Sequence, residues 1–258
     1  MAEFNHVRGR HLETGSALLY VEELGDPSAS PLLVLHGGLG SMVDLNLLIR
    51  RLPQTRRVIG VDLRGHGRSA LGGADLSYAQ HERDILGVLD GLDLRRTDVL
   101  GFSDGGITAY RLAISAPDRI GRIVAIGATW KTPVGATRER LAGMTAETWR
   151  KRFSESVGYY ERVNPQPDLE RLVDACVKMW TDPGPSGHPN DRVGEIRCPL
   201  LATRGHRDPL CSLQETAELC ARLTDAEFLN LPYAGHEVHK EADSIVANYL
   251  VRFLSEPA

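Results

Sequence analysis

No stretch of this sequence approaches the roughly 18 consecutive apolar residues that a membrane-crossing helix needs. The opening MAEFNHVRGRHLETG also lacks the apolar centre of a secretory signal, so a cytoplasmic location is the expectation. Basic surplus is absent: the formal net charge is −4. The electrostatic footprint of a nucleic-acid or anionic-membrane binder is therefore missing, and the expected partner is a small-molecule substrate. The four cysteines, Cys176, Cys198, Cys211 and Cys220, form no C-x-x-C pair, and the histidines near them complete no zinc spacing. Reduced thiols, no metal and no cofactor are expected. Internal repeats and low-complexity tracts are lacking too.

What is present is ordinary globular material. Hydrophobic residues make up 42% and charged residues 25% of 258 positions, enough for one α/β domain with a modest insertion. Short apolar or β-branched runs at Ala17–Val21, Leu32–Leu35, Val58–Val61, Asp98–Gly101, Ile123–Ile126, Leu200–Thr203 and Phe228–Leu231 read as buried strands. Helical patterns alternate with them at Met42–Leu52, Ser77–Leu92, Gly105–Ser115, Leu213–Leu223 and Ala242–Leu254. This alternation predicts a mostly parallel central sheet with helices on both faces, whose reactive groups gather at the carboxyl ends of the strands.

The alternation breaks between Trp130 and Gly194. Helix-compatible stretches at Arg138–Gly143, Thr145–Val157 and Asp168–Trp180 predict an inserted helical cap over residues 130–194, with the core formed by 1–129 and 195–258. All three tryptophans, Trp130, Trp149 and Trp180, fall in this insertion and are candidates to line a substrate pocket, although aromatics at helical spacing also serve simply as core.

One serine stands out. Gly101-Phe102-Ser103-Asp104-Gly105-Gly106 lies between a strand run and a helical run, the setting of a nucleophile elbow, where the flanking glycines leave room that side chains would fill. A serine nucleophile needs a base held by an acid. Asp208, in Arg204-Gly205-His206-Arg207-Asp208-Pro209, and His236, in Pro232-Tyr233-Ala234-Gly235-His236, each follow a strand run, and the order Ser103, Asp208, His236 suits this architecture. His239 and His206 compete for the role of base, and His236 is preferred because it ends the loop directly after a strand. The loop after Ile126 holds no carboxylate, which favours Asp208 as the acid.

Acyl transfer also needs oxyanion donors. The backbone N–H of Asp104 is one candidate, and that of Gly38, in His36-Gly37-Gly38-Leu39-Gly40, is the other, with Leu39 as its near alternative. His36 reads as a buried structural histidine, and Asp62 to Ser69 as a turn that buttresses the site. Gly65-x-Gly67-x-x-Ala70 loosely fits a dinucleotide fingerprint, but no helix follows it, so a nucleotide site is rejected.

Taken together, His36-Gly37, the Asp62 to Ser69 turn, GFSDGG, Arg204 to Pro209 and Gly235-His236 resemble the α/β-hydrolase family from about residue 16 onward. The resemblance implies the α/β-hydrolase fold and a Ser-His-Asp serine esterase without a cofactor. Within the family, GFSDGGITAY and RIVAIGAT are similar to the valacyclovir-hydrolase-like members, which act on esters of amino acids. That similarity implies a substrate amine on Asp104, because two unit charges about 4 Å apart interact by about 4 kcal/mol at an effective dielectric near 20. The other arrangement has the Asp104 carboxylate bonded within the protein. Leu39, Trp130, Trp149 and Trp180 complete the candidate substrate-binding set. The expected reaction is hydrolysis of a small ester, thioester or lactone. A carbon–carbon bond hydrolase of the same fold is the alternative, and a slow-turnover ligand receptor is the rival from a different class.

Overall fold

The computed structural model describes residues 3–15, 17–53 and 55–255. The ends of the expected core, at residues 1 and 258, and Ser16, where the family resemblance begins, lie outside the described residues. Eight strands form one sheet in the order β1-β2-β4-β3-β5-β6-β7-β8. They are β1 Arg10–Glu13, β2 Leu18–Leu24, β3 Pro31–Leu35, β4 Arg57–Val61, β5 Thr97–Phe102, β6 Ile120–Ile126, β7 Leu200–Gly205 and β8 Ala226–Leu231. β2 pairs antiparallel with both β1 and β4, and every pairing from β4 to β8 is parallel.

Side-chain alternation along the strands decides which helices cover which face. Leu33, Leu35, Val99, Ile123 and Ala202 point to one face, packed against α2 (Tyr78–Gly91), α3 (Asp104–Ser115) and the helical insertion. Leu32, Val34, Leu100, Val124 and Leu201 point to the other, beneath α1 (Asn46–Ile49), α9 (Val238–Glu241) and α10 (Asp243–Ser255). The insertion between β6 and β7 carries α4 (Gly135–Ala142), α5 (Ala146–Arg152), α6 (Ser154–Val163) and α7 (Leu169–Trp180); α8 (Leu213–Arg222) follows β7. No described helix is long and apolar enough to cross a membrane.

Three elements differ from the sequence reading. β1 is absent from the sequence reading: its residues, Arg-His-Leu-Glu, are mostly exposed, so the hydrophobic signal of a strand is weak, and the strand is made by backbone pairing with β2 and by Leu12, which packs on the core. The helix expected over Met42–Leu52 is a 3₁₀ turn at Met42–Leu45 leading into the short α1. The stretch Thr145–Val157 is two helices, broken where Phe153 leaves helical geometry at φ −130° and ψ 51°.

β3 lies between β4 and β5, so the chain leaves it in one direction through α1 and returns on the opposite face through α2. The carboxyl ends of β3 and β5 thus form the switch point of the sheet, where a crevice opens in α/β architectures. Around this point the turns are stitched by buried polar groups. His36 accepts the Leu63 N–H on Nε2 at 2.9 Å and donates from Nδ1 to Gly37 O at 2.7 Å. Asp62 accepts the N–H groups of Met42 and Arg68 and pairs with His6 at 2.7 Å. His6 in turn contacts the Tyr159 hydroxyl of α6 at 2.7 Å. Asn164, after α6, points its amide Nδ2 at the carbonyls of Gly65, Gly67 and Ser69, at 3.3, 2.9 and 3.1 Å.

That amide pins the insertion to the core turn, and its loss leaves buried carbonyls without a donor. Asn164→Ala is expected to destabilise the protein by about 2 kcal/mol. Asn164→Asp should cost more, because a carboxylate would face three acceptors. Urea unfolding of the two variants checks this order.

Four buried histidines also tie stability to pH. Burial pushes His66 down to about 3 and His188 to about 4, and drives His81 and His239 well below the usual 6.5. The folded chain keeps them neutral while the unfolded chain protonates them near 6.5, so the unfolded state binds more protons between these values. Their contribution is complete above about pH 6.5 and is lost as pH falls toward 3 to 4. At pH 5 His66 and His188 should each cost about 2 kcal/mol, and His81 and His239 act in the same direction. The urea midpoint should drop clearly between pH 7 and pH 5, and an unchanged midpoint would contradict their neutral burial.

Candidate active site

Ser103 sits between β5 and α3 with φ 49° and ψ −114°, a conformation that L-residues adopt only when their surroundings enforce it. Those surroundings are glycine-lined. A Cβ on Gly105 would run into the Leu35 carbonyl, and one on Gly101 would lie 2.5 Å from the Gly105 carbonyl group. The turn is closed by Ser103 N–H donating to Ile126 O at 2.8 Å, and by Gly106 and Ile107 N–H groups donating to Ser103 O.

His236 Nε2 lies 3.1 Å from Ser103 Oγ, and its Nδ1 lies 2.9 Å from Asp208 Oδ2. With Nδ1–H donating to the carboxylate, Nε2 is left as an acceptor for the serine hydroxyl. Asp208 is held in turn. Its Oδ1 accepts the N–H groups of Leu210 and Cys211 at 2.8 and 3.1 Å, and its side chain is fully buried. Gly127, in the loop after β6, takes φ 57° and leaves room for the pair: a Cβ there would stand 3.1 Å from the His236 ring and 3.3 Å from Asp208 Oδ2. The three residues selected from chain order are thus brought together.

The competing histidines go elsewhere. His239 is fully buried with its ring centre 4.2 Å from that of Phe102, and His206 points to Asn230, 3.5 Å away. Neither is hydrogen-bonded to Ser103.

At the β3 end, the Leu39 N–H is spent on His66 Nε2 at 2.9 Å, and His66 is fixed as its acceptor by donating from Nδ1 to Arg64 O at 2.8 Å. The N–H groups of Gly38 and Asp104 have no hydrogen-bond partner among the described residues. Between Gly38 and Leu39, the open donor is therefore that of Gly38.

The Asp104 carboxylate takes the protein-bonded arrangement. Its Oδ1 accepts from the Tyr78 hydroxyl at 2.8 Å, and Trp180 Nε1–H reaches both of its oxygens, at 3.0 and 2.8 Å. Burial raises the pKa of Asp104 above the ordinary carboxylate value, and the bonds from Trp180 and Tyr78 oppose that rise.

The remaining aromatic candidates part ways. Trp180 and Leu39 are buried beside Gly38 and Asp104. Trp130 anchors the start of the insertion to α8: its backbone N–H donates to Glu215 Oε1 at 3.0 Å and its indole N–H to Glu215 O at 2.8 Å. Lys131 and Arg222 cover its ring. Trp149 packs on Phe153 inside the insertion, ring centres 4.3 Å apart. A cavity of about 460 Å³ is lined by Thr129, Trp130, Thr137, Asn190, Asp208 and Glu215 among others, and neither Ser103 nor His236 lines it.

Tyr78 is the site residue that sequence reasoning missed. His66 lies in the Asp62 to Ser69 turn expected to buttress the site, and only its bond to the Leu39 N–H went unforeseen. In the sequence Tyr78 lies at the start of a helical run, and nothing local marks it as a neighbour of the elbow.

Comparison with known proteins agrees with this fold. Residues 30–174 match the family described as the alpha/beta hydrolase fold. The chain is 38% identical to a 2-hydroxymuconate semialdehyde hydrolase of Pseudomonas sp. (strain CF600), over 88% of this chain and 87% of that one. It is 26% identical to an esterase of Escherichia coli (strain K12), over 88% and 94% of the two chains. Among solved structures, a meta-cleavage product hydrolase from Pseudomonas fluorescens IP01 superimposes with a TM-score of 0.82 at 20% identity, covering 97% of this chain and 98% of that one. With the family matched across more than half of its length and a 38% identical relative spanning most of it, the chain belongs to the α/β-hydrolase family.

Proposed function

We propose that this protein is a serine hydrolase that cleaves small, uncharged carboxylic esters, thioesters or lactones through an acyl-enzyme. The observation that carries the reading is the line Ser103 Oγ, His236, Asp208, joined at 3.1 and 2.9 Å, beside backbone segments whose N–H groups at Gly38 and Asp104 have no partner among the described residues. Ser103 Oγ attacks the carbonyl carbon as His236 Nε2 takes its proton, and buried Asp208 stabilises the imidazolium. The carbonyl electron pair becomes an oxyanion that accepts from Gly38 and Asp104. The imidazolium then protonates the leaving alkoxide or thiolate, and water activated by His236 releases the acid and restores Ser103. No step requires a cofactor. The helical insertion is the cap of this site, since Trp180 at its end touches the residue after the nucleophile.

Charge selects the substrate class. The Asp104 carboxylate is 3% exposed and engaged by Tyr78 and Trp180, which argues against its serving a substrate amine. The two buried arginines are committed as well, Arg64 to Asp84 and Arg204 to Cys211 O and Asn230 Oδ1, so neither is offered to a substrate carboxylate. Neutral acyl groups fit best. Carbon–carbon bond hydrolysis is the second reading, favoured by the 38% identity to the 2-hydroxymuconate semialdehyde hydrolase. Faster turnover of that semialdehyde than of any simple ester would put it first.

Ser103→Ala is expected to lower kcat on a p-nitrophenyl ester by about 10⁴-fold or more, and His236→Ala comparably. His239→Phe should stay within about tenfold of the parent. Near-parental hydrolysis by Ser103→Ala would rule out the mechanism, and a larger loss at His239 than at His236 would reassign the base.

Matched esters of one amino acid, with the α-amine free or acetylated, test the charge argument. Their kcat/KM values should agree within about threefold, whereas a preference of about tenfold for the free amine, worth about 1.4 kcal/mol, would restore Asp104 as a cation subsite.

A further inference from the structure

The seat of the Asp104 side chain joins three parts of the fold that the acyl-transfer steps leave unexplained. Asp104 is the first residue of α3, Tyr78 the first of α2, and Trp180 the last of α7 in the insertion. The hydroxyl of Tyr78 and the indole N–H of Trp180 both end on the one carboxylate, and all three residues are buried. Gly38 lies against the same seat. A Cβ on Gly38 would run into Asp104 Oδ2 and come to 2.7 Å from Trp180 Cζ2. The backbone segments that offer the two unspent N–H groups therefore pack on a single carboxylate and the indole that holds it.

Both segments are held from more than one side. The peptide between Ser103 and Asp104 follows a residue at φ 49° and ψ −114°; its carbonyl accepts from the Gly106 and Ile107 N–H groups, and the Asp104 side chain adds the anchor at Tyr78 and Trp180. Gly38 lies between Gly37, whose carbonyl accepts from His36 Nδ1 and the Gly40 N–H, and Leu39, which takes φ 60° with its N–H on His66. Trp180 and the Asp104 carboxylate supply the wall on the other side.

We propose that Tyr78 and Trp180 are positioning residues for acyl transfer: by clamping the Asp104 carboxylate between α2 and α7, they hold the N–H groups of Asp104 and Gly38 in line with Ser103 while the insertion is seated on the core. The inference rests on the serine-hydrolase reading. It ties the oxyanion donors to the position of the insertion, because the indole donor belongs to α7 and both N–H donors belong to the core. The clamp also ties up both oxygens of a buried carboxylate next to the place where a second negative charge develops. Burial raises the pKa of Asp104 and the two donors oppose that rise, so removing a donor weakens the hold on Asp104 and pushes its pKa further up.

The test compares Trp180→Phe, Tyr78→Phe, Asp104→Ala and Asp104→Asn with the parent enzyme. Active sites are counted by a fluorophosphonate, which phosphonylates the nucleophilic serine and expels fluoride. Each variant is then assayed for kcat and KM on a neutral ester. It is also assayed for affinity toward an alkyl trifluoromethyl ketone, whose carbonyl carbon bonds to Ser103 Oγ while its oxygen becomes an oxyanion and the serine proton passes to His236.

Removing an oxyanion donor outright costs about 100- to 1,000-fold, so loosening both is expected to lower kcat about tenfold in Trp180→Phe and less in Tyr78→Phe. KM should change by no more than about twofold, and trifluoromethyl ketone affinity should fall in parallel with kcat. Asp104→Asn keeps an oxygen acceptor for both donors and should recover most of the kcat lost in Asp104→Ala. Parental kcat and ketone affinity in both Trp180→Phe and Tyr78→Phe, with Ser103 labelled normally, would overturn the clamp alone. A change confined to KM or melting temperature would do the same by reducing the contact to a structural one. Failure of the parent enzyme to label at Ser103 would overturn the acyl-transfer reading and the clamp with it.

Discussion

Everything at this site depends on how closely α3 approaches the end of β3. Gly105 lies against the Leu35 carbonyl where no side chain could fit, and Gly101 lies against Gly105 itself. That contact forces the chain to turn within one residue, and Ser103 bears the resulting positive φ. The same turn leaves the Asp104 N–H without a partner among the described residues and brings the glycine-rich loop after β3 beside it. Because β3 and β5 adjoin in the sheet, the serine and the second donor segment meet at the switch point without any long-range adjustment.

Around this turn the protein uses neutral histidines as connectors rather than as catalysts. His36 ties the end of β3 to the end of β4, and His66 takes the Leu39 N–H, which leaves that of Gly38 unspent. Each ring donates from Nδ1 to a nearby carbonyl and accepts on Nε2, a pattern available only to the neutral form. Burial that drives the His66 pKa down to about 3 keeps that pattern across the physiological range. The insertion is bound into the same region through Asn164 on the Gly65 to Ser69 turn, Tyr159 on His6, and Trp180 on Asp104.

Strands and helices were readable wherever burial imposes a pattern on composition. Leu32–Leu35 and Ile123–Ile126 are buried on both sides and appear as continuous apolar runs, and Ser77 announces α2 by accepting the Gln80 N–H. β1 escaped because an exposed edge strand needs few apolar residues, and the break at Phe153 escaped because ring packing on Trp149, not a proline or glycine, attends it. Ser103, Asp208 and His236 were legible because each must sit at a strand's end in a fixed chain order. Trp130, Trp149 and Trp180 could not be told apart by position in sequence, since each is an aromatic residue in a helical insertion.

The sequence by itself determined the architecture and singled out Ser103, Asp208 and His236, the three residues that the fold brings together, because strand periodicity, glycine spacing and chain order are local properties written along the chain. Tertiary structure alone decided which N–H groups stay unspent, where the Asp104 carboxylate turns, and which tryptophan reaches the elbow. Those outcomes depend on partners far away in sequence: Tyr78 is 26 and Trp180 is 76 residues from Asp104, and His66 is 27 residues from Leu39. A hydrogen bond is settled by distance and direction in space, which no local pattern of residues specifies.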